Sequence, residues 1–286
     1  MNRVGDLNGI ASVKGNGSKR THYNKFCRTI ATLVALVAVL LQGCVTQTTG
    51  GFNVKRSDAD ALRDYLQLAT GYLEQNDIAN TKRHLANAAD LDPDNSEIKA
   101  IWGLVYSREG ETKLADESFQ RALQLDPDNS KARNNYAAYL FAQNRFEDAY
   151  NELSRVVEDT RYEARPQAFE NLGLAALRLN RLDVAETVFG RALQLNPNQL
   201  RSCLELVVLN LAKNNVQQAR VYYRNYLTLL QLYSIPHSAR SLWVGIQLEA
   251  ALGNRGNVET YGRQLEANFA SALEIQLYKQ LLDKLK

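Results

Sequence analysis

The sequence predicts an all-α protein, a right-handed solenoid of about six helix hairpins. Three observations lead there. Residues 119–128 read F-Q-R-A-L-Q-L-D-P-D and residues 189–198 read F-G-R-A-L-Q-L-N-P-N, near-copies 70 residues apart. A weaker copy ends in D-L-D-P-D at residues 90–94, and its Pro93 stands 34 residues before Pro127. Nowhere does the chain show the period-2 alternation bounded by Gly-rich turns that marks strands.

A 34-residue period is that of the tetratricopeptide repeat, and the side chains fall in its slots. In the first repeat, residues 62–95, the slots hold Leu68, Ala69, Tyr72, Leu85, Ala88 and Pro93. In the second, 96–129, Trp102, Gly103 and Tyr106 lie on one predicted helix, Ala115, Phe119 and Ala122 on the next, and Pro127 closes the unit. The third, 130–163, offers Tyr136, Ala137, Leu140, Ala149 and Leu153 but has Arg161 in place of the proline. Two residues are then inserted, so residues 156–166 predict an irregular junction. The fourth, 166–199, holds Leu172, Gly173, Ala176, Ala185, Phe189, Ala192 and Pro197. A fifth, 200–233, has Leu206, Ala219 and Tyr223; a degenerate sixth, 238–270, has Gly245, Leu248 and Tyr261, with a C-terminal helix after it. Small residues at the eighth, twentieth and twenty-seventh positions let two helices approach, bulky ones fill the space between, and proline ends one helix and opens the next. No single hairpin buries its apolar face, so several must stack.

The region before the repeats reads as an address. Residues 1–43 carry six Lys or Arg and one acid, which leaves 28 of the 34 basic and 30 of the 31 acidic side chains for the rest. That near-neutral body gives no electrostatic case for nucleic acid. The apolar run at residues 30–41, flanked by Lys25 and Arg28, would span about 18 Å as a helix, short of a ~30 Å hydrocarbon core. A basic region, a short apolar run and a small residue before the cut define a secretory signal peptide. Here the cut site is Leu41-Gln42-Gly43-Cys44, which resembles the bacterial lipobox: the Cys44 thiol receives diacylglycerol and becomes the acylated first residue. Two or three acyl chains on one cysteine exceed the threshold for stable anchoring. Val45 stands where enterobacterial lipoproteins retained at the inner membrane tend to have Asp, so that resemblance implies the outer membrane. Residues 44–57 then form a polar, flexible tether, and residues 58–286 the solenoid.

Nothing in the repeats reads as catalytic. Of the three histidines, His22 leaves with the signal, and His84 and His237 stand in different repeats without metal spacing. The acidic pairs around Pro93 and Pro127 are turn and capping chemistry, and lack the alternating ligands of a calcium loop. Cys203, the one cysteine left in the body, falls on an apolar helical face, where a core role is expected. No metal, no small-molecule substrate and no cofactor beyond the covalent lipid on Cys44 is expected.

A partner site is expected on the first helix of each repeat, which lines the concave face with its second, fifth, ninth, twelfth and thirteenth positions. These include Leu66 and Leu73 in the first repeat, Leu104 and Arg108 in the second, and Asn134, Ala138 and Phe141 in the third. The fourth supplies Glu170, Leu174, Leu177 and Arg178, and the fifth Leu204, Val208 and Leu211. An apolar floor with a few charges suits an amphipathic helix or a hydrophobic peptide. A basic clamp for a C-terminal carboxylate is excluded, because Leu66, Thr70 and Ala100 occupy its positions.

With lipobox, tether and six repeats in view, the chain resembles the PilW/PilF-type pilotins of type IV pilus systems. The most specific stretch is residues 237–257, H-S-A-R-S-L-W-V-G-I-Q-L-E-A-A-L-G-N-R-G-N, followed by Y-G-R-Q-L at 261–265. The resemblance implies an outer-membrane lipoprotein facing the periplasm. It would bind the pilus secretin, promote its localisation and multimerisation, and so support pilus formation and twitching motility. The alternative compatible with the same features is a lipoprotein scaffold for peptidoglycan or outer-membrane assembly machinery.

Overall fold

Thirteen α-helices and no strand occupy residues 57–285, the part of the chain that the computed structural model describes. They pair as α1 (Asp58–Glu74) with α2 (Ile78–Leu91), α3 (Ser96–Glu109) with α4 (Thr112–Leu125), and α5 (Ser130–Ala142) with α6 (Phe146–Val156). Then come α7 (Arg165–Arg178) with α8 (Leu182–Leu195), α9 (Leu200–Ala212) with α10 (Val216–Leu232), and α11 (Ala239–Ala251) with α12 (Arg255–Asn268). A last helix, α13 (Leu273–Lys284), packs on α11 and α12. This is the tetratricopeptide solenoid that the repeat pattern predicts.

One local device closes all six hairpins. The turn residue is in the left-handed region each time: Asn76, Gly110, Asn144, Asn180, Asn214 and Gly253, with φ between 57° and 80°. Asn and Gly tolerate that conformation best. The next N–H then returns to the carbonyl five residues earlier, as from Arg181 to Ala176 at 2.8 Å, satisfying the orphan carbonyls of the first helix. Between hairpins the D-P-D and N-P-N turns cap themselves: Asp126 Oδ1 accepts from the Asp128 N–H at 3.0 Å, and Asn196 Oδ1 from the Asn198 N–H at 3.0 Å.

In the second and fourth hairpins, the glycine at position eight faces the phenylalanine at position twenty-four. A Cβ at Gly173 would lie 2.6 Å from the Phe189 ring, and one at Gly103 would lie 2.9 Å from Phe119. Both rings are fully buried. Hairpins then stack through their first helices, α1 on α3, α3 on α5, α5 on α7, and α9 on α11. The second helices lie behind, each against its own partner and the first helix of the next unit. Ile98, Ile101 and Val105 of α3 enter the core of the first repeat, alongside Leu66, Leu73 and Leu85. The same positions of α1 are Asp64, Gln67 and Gly71, a polar face that ends the stack as a terminal repeat must. At the other end Tyr278 of α13 covers Leu242, Ile246, Val258 and Leu265.

Side-chain links also cross from one repeat to the next, and two of them fix α9. Gln199, the N-cap of α9, makes no capping bond with its side chain. Instead Glu170 of α7 accepts from the Ser202 N–H at 3.1 Å and the Ser202 hydroxyl at 2.8 Å, so α9 is capped by the preceding repeat. Farther along, buried Glu205 receives both guanidinium nitrogens of Arg240 at 2.6 and 2.7 Å, joining α9 to α11.

Two measurements follow. Gly173→Val drives a branched side chain into Phe189 and should destabilise the fold by about 2 kcal/mol or more. Gly190, on the same hairpin, has open space around its Cβ position, so Gly190→Ala should be neutral or stabilise by up to about 1 kcal/mol. Urea melts of both variants check the contrast. Glu170→Ala removes the cap of α9 and should cost about 1 kcal/mol, and Glu170→Gln, which keeps an acceptor, should recover part of that in the same assay.

Candidate functional site

The first helices present three rows of side chains on their stacked face, and burial separates them. Position five is crossed by the next first helix, so Leu66 and Leu204 are only 8% and 6% exposed. Leu73, at position twelve of the first repeat, is 4% exposed for the same reason. The expectation that Leu66, Leu73 and Leu204 line a groove is therefore corrected: they belong to the core. Leu66 and Leu73 pack with Leu85, Ile98 and Val105; Leu204 packs with Cys203, Val207, Tyr223 and Val244.

The other apolar positions remain half-buried. Leu104 touches the cores of the first and second repeats, and Phe141 those of the second to fourth. Leu174 and Leu177 lie over the Phe189 cluster, Val208 and Leu211 over the Tyr223 cluster. With exposed Ala138 they form a continuous apolar floor from α3 to α9. In α1 these positions hold Thr70 and the buried Leu73, and in α11 the buried Ile246 and Glu249, so the half-exposed apolar floor does not extend to either end.

Two arginines at position thirteen reach back over the preceding repeat. Arg108 Nη1 donates to the Leu73 carbonyl at the C-terminus of α1 and, at 3.4 Å, to Asn76 Oδ1. Arg178 lies over the Phe146 ring at 4.1 Å and the Phe141 ring at 5.9 Å, a cation–π clasp between α7 and its neighbour. In the floor itself, Asn134 Oδ1 is buried without a hydrogen-bond partner among the described residues. A buried, unpaired acceptor costs free energy unless a ligand or water supplies a donor.

Arg201 was not among the groove residues read from the sequence. It occupies position two of α9, the row that holds Arg63, Glu97, Lys131 and Gln167 in earlier repeats, and it is exposed. Position two is a row that the repeat register already assigns to the concave face, and in the fifth repeat that position is Arg201.

The groups with chemical potential elsewhere are accounted for by packing. Burial, with a smaller contribution from Glu170, pushes the Cys203 thiol up to about 11, so thiolate is scarce near neutral pH. His84 stacks on Tyr72 at 5.3 Å, and His237 Nδ1 meets the Ser241 hydroxyl at 3.1 Å. Among the described residues no three His, Cys, Asp or Glu are placed to hold a metal ion, and no helix is long and apolar enough to cross a membrane. Cys44 lies outside the described residues.

Tetratricopeptide-repeat family patterns match residues 106–170 and 166–199. The chain is 36% identical over 252 residues to the type IV pilus assembly protein PilF of Pseudomonas aeruginosa, covering 87% of this chain and 97% of that one. The solved structure of Pseudomonas aeruginosa PilF is similar at a TM-score of 0.73 and 34% identity, over 78% of this chain and 98% of that one. The crystal structure of PilW, a widely conserved type IV pilus biogenesis factor, is similar at a TM-score of 0.64 and 25% identity, over 76% and 97%. Identity at this level, sustained along the whole of a relative built from the same stacked hairpins, makes the chain a member of the PilF/PilW family of tetratricopeptide-repeat type IV pilus biogenesis proteins.

Proposed function

We propose that this protein is an outer-membrane pilotin: it binds the type IV pilus secretin and promotes its localisation and multimerisation. The observation that carries the reading is the apolar floor between α3 and α9, which the stack leaves half-exposed in a family that serves pilus biogenesis. Apolar surface that the fold itself does not cover suits a protein segment that must be kept from water until it assembles. The lipobox at Cys44 supports the other half of the proposal. Acyl chains there would hold the solenoid at the periplasmic face of the outer membrane, and a bound secretin subunit would travel with it. In this mechanism no bond is made or broken by the solenoid; it acts by binding, and its only attached group is the lipid.

Phe141→Glu and Leu174→Glu place a charge in the floor at half-buried positions. Each should reduce secretin capture at least tenfold in a pull-down while leaving the helical circular dichroism intact; unchanged capture by both would refute the floor as the site. A second experiment tests the lipid. In a deletion strain, heat-resistant secretin multimers at the outer membrane should disappear, and return with the wild type but not with Cys44→Ala. Multimers that persist there in the deletion strain would favour a scaffold for cell-wall or outer-membrane assembly machinery instead.

A further inference from the structure

We infer that the segment held in this groove is an acidic amphipathic helix of about eighteen to twenty residues, apolar on one face and flanked by carboxylates. The inference rests on the groove reading above and adds the chemistry of the occupant. Its dimensions follow from the stack. The rows at positions two and thirteen are eleven residues apart on each first helix, about 16 Å, which leaves room for one helix of 10–12 Å diameter between them. From α3 to α9 the floor crosses three helix-to-helix steps of about 8–10 Å, a length near 30 Å that a twenty-residue helix spans.

Charge decides the sign of the partner. In the position-two row, Glu97 is taken up by an ion pair with Lys131 from the next repeat. The repeat before Arg201 offers Gln167 at that place, so no carboxylate of that row meets Arg201, and among the described residues it makes no ion pair. In the position-thirteen row stand Arg108, Ala142, Arg178 and Ala212. Arg108 rests on a carbonyl and an amide oxygen, Arg178 on two aromatic rings, and among the described residues neither has an ion pair. The one carboxylate in the floor, Glu170, is engaged by Ser202. Among the described residues, the groove between α3 and α9 therefore shows three guanidiniums without an ion pair and no unengaged acid at these positions. Guanidiniums fixed by stacking or by a helix end keep donors free for a bidentate carboxylate partner. Asn134 Oδ1, the unpartnered acceptor in the floor, adds a place for one donor from the occupant, such as a Ser, Thr or Asn side chain.

The test uses the purified full-length chain and three dye-labelled eighteen-residue amphipathic helices. All share one Leu-rich apolar face and differ only in flanks of Glu, Gln or Lys. By fluorescence anisotropy the Glu-flanked peptide should bind at least tenfold more tightly than the Lys-flanked one, and raising salt from 50 to 500 mM should narrow that gap. Arg178→Glu and Arg201→Glu should each weaken the Glu-flanked peptide about fivefold and strengthen the Lys-flanked one, a reciprocal gain that a misfolded variant cannot produce. Equal affinities for the three peptides, no binding of any at millimolar concentration, or affinities that ignore both substitutions would overturn the inference. Phe141→Glu separates the two levels of the reading. Should it abolish binding of three equally bound peptides, the groove stands and only the charge preference falls; should it leave all binding unchanged, the groove falls too.

Discussion

The structure depends on how closely the two helices of a hairpin approach, and in the second and fourth hairpins that approach is set by an absent side chain. At Gly103 and Gly173 the facing phenyl ring sits where a Cβ would be. The ring fills the space at interior packing density, so the contact is both the spacer and much of the hairpin's buried surface. The last repeats keep the principle and change the partner: Tyr223 lies against Gly245, and Tyr278 against Gly262. These contacts run between successive helical pairs rather than within one hairpin. A larger residue at any such glycine would separate the helices along their whole length, because a rigid rod cannot yield at one point.

From hairpins of constant thickness the stack follows. From α3 to α9 each first helix buries its third and tenth positions and leaves its ninth and twelfth positions at least partly exposed, because the second helices lie behind. The groove is thus a by-product of the same packing that makes the core. This explains why its floor residues are half-buried: Leu104, Phe141 and Leu177 pack at their roots against the repeat cores and show their outer atoms to solvent. Polar ends complete the device. Asp64 and Gln67 stop the stack at one end and α13 seals the other, as the terminal units of a solenoid must.

The irregularities carry meaning of their own. After α6 the missing proline and two extra residues lengthen the connection, and α7 instead opens with Pro166 at its first turn. After α10 the chain turns through Ser234 in the left-handed region before Pro236, with the Ile235 N–H returning to the Leu230 carbonyl at 2.9 Å. In both places the backbone bonds are satisfied by local means, which is what allows a repeat to vary without breaking the stack.

The helical class, the hairpin register and the identities of most core residues were legible in the sequence alone. They arise from interactions within one 34-residue unit: a small residue opposite a large one, a proline at a turn, an apolar face at helical spacing. The structure adds the left-handed turn residues, of which Asn76, Gly110 and Asn144 recur at the same 34-residue period. What the sequence could not decide was which groove positions stay open. Leu66, Leu73, Leu104 and Leu177 are the same amino acid on the same helix face, yet the first two are buried and the last two half-exposed. The difference lies in how the next hairpin crosses each of them, a contact between units that no pattern within a unit encodes. The capping of α9 by Glu170 and the unpaired state of Arg201 have the same origin: each is settled by the residue that stacking brings opposite.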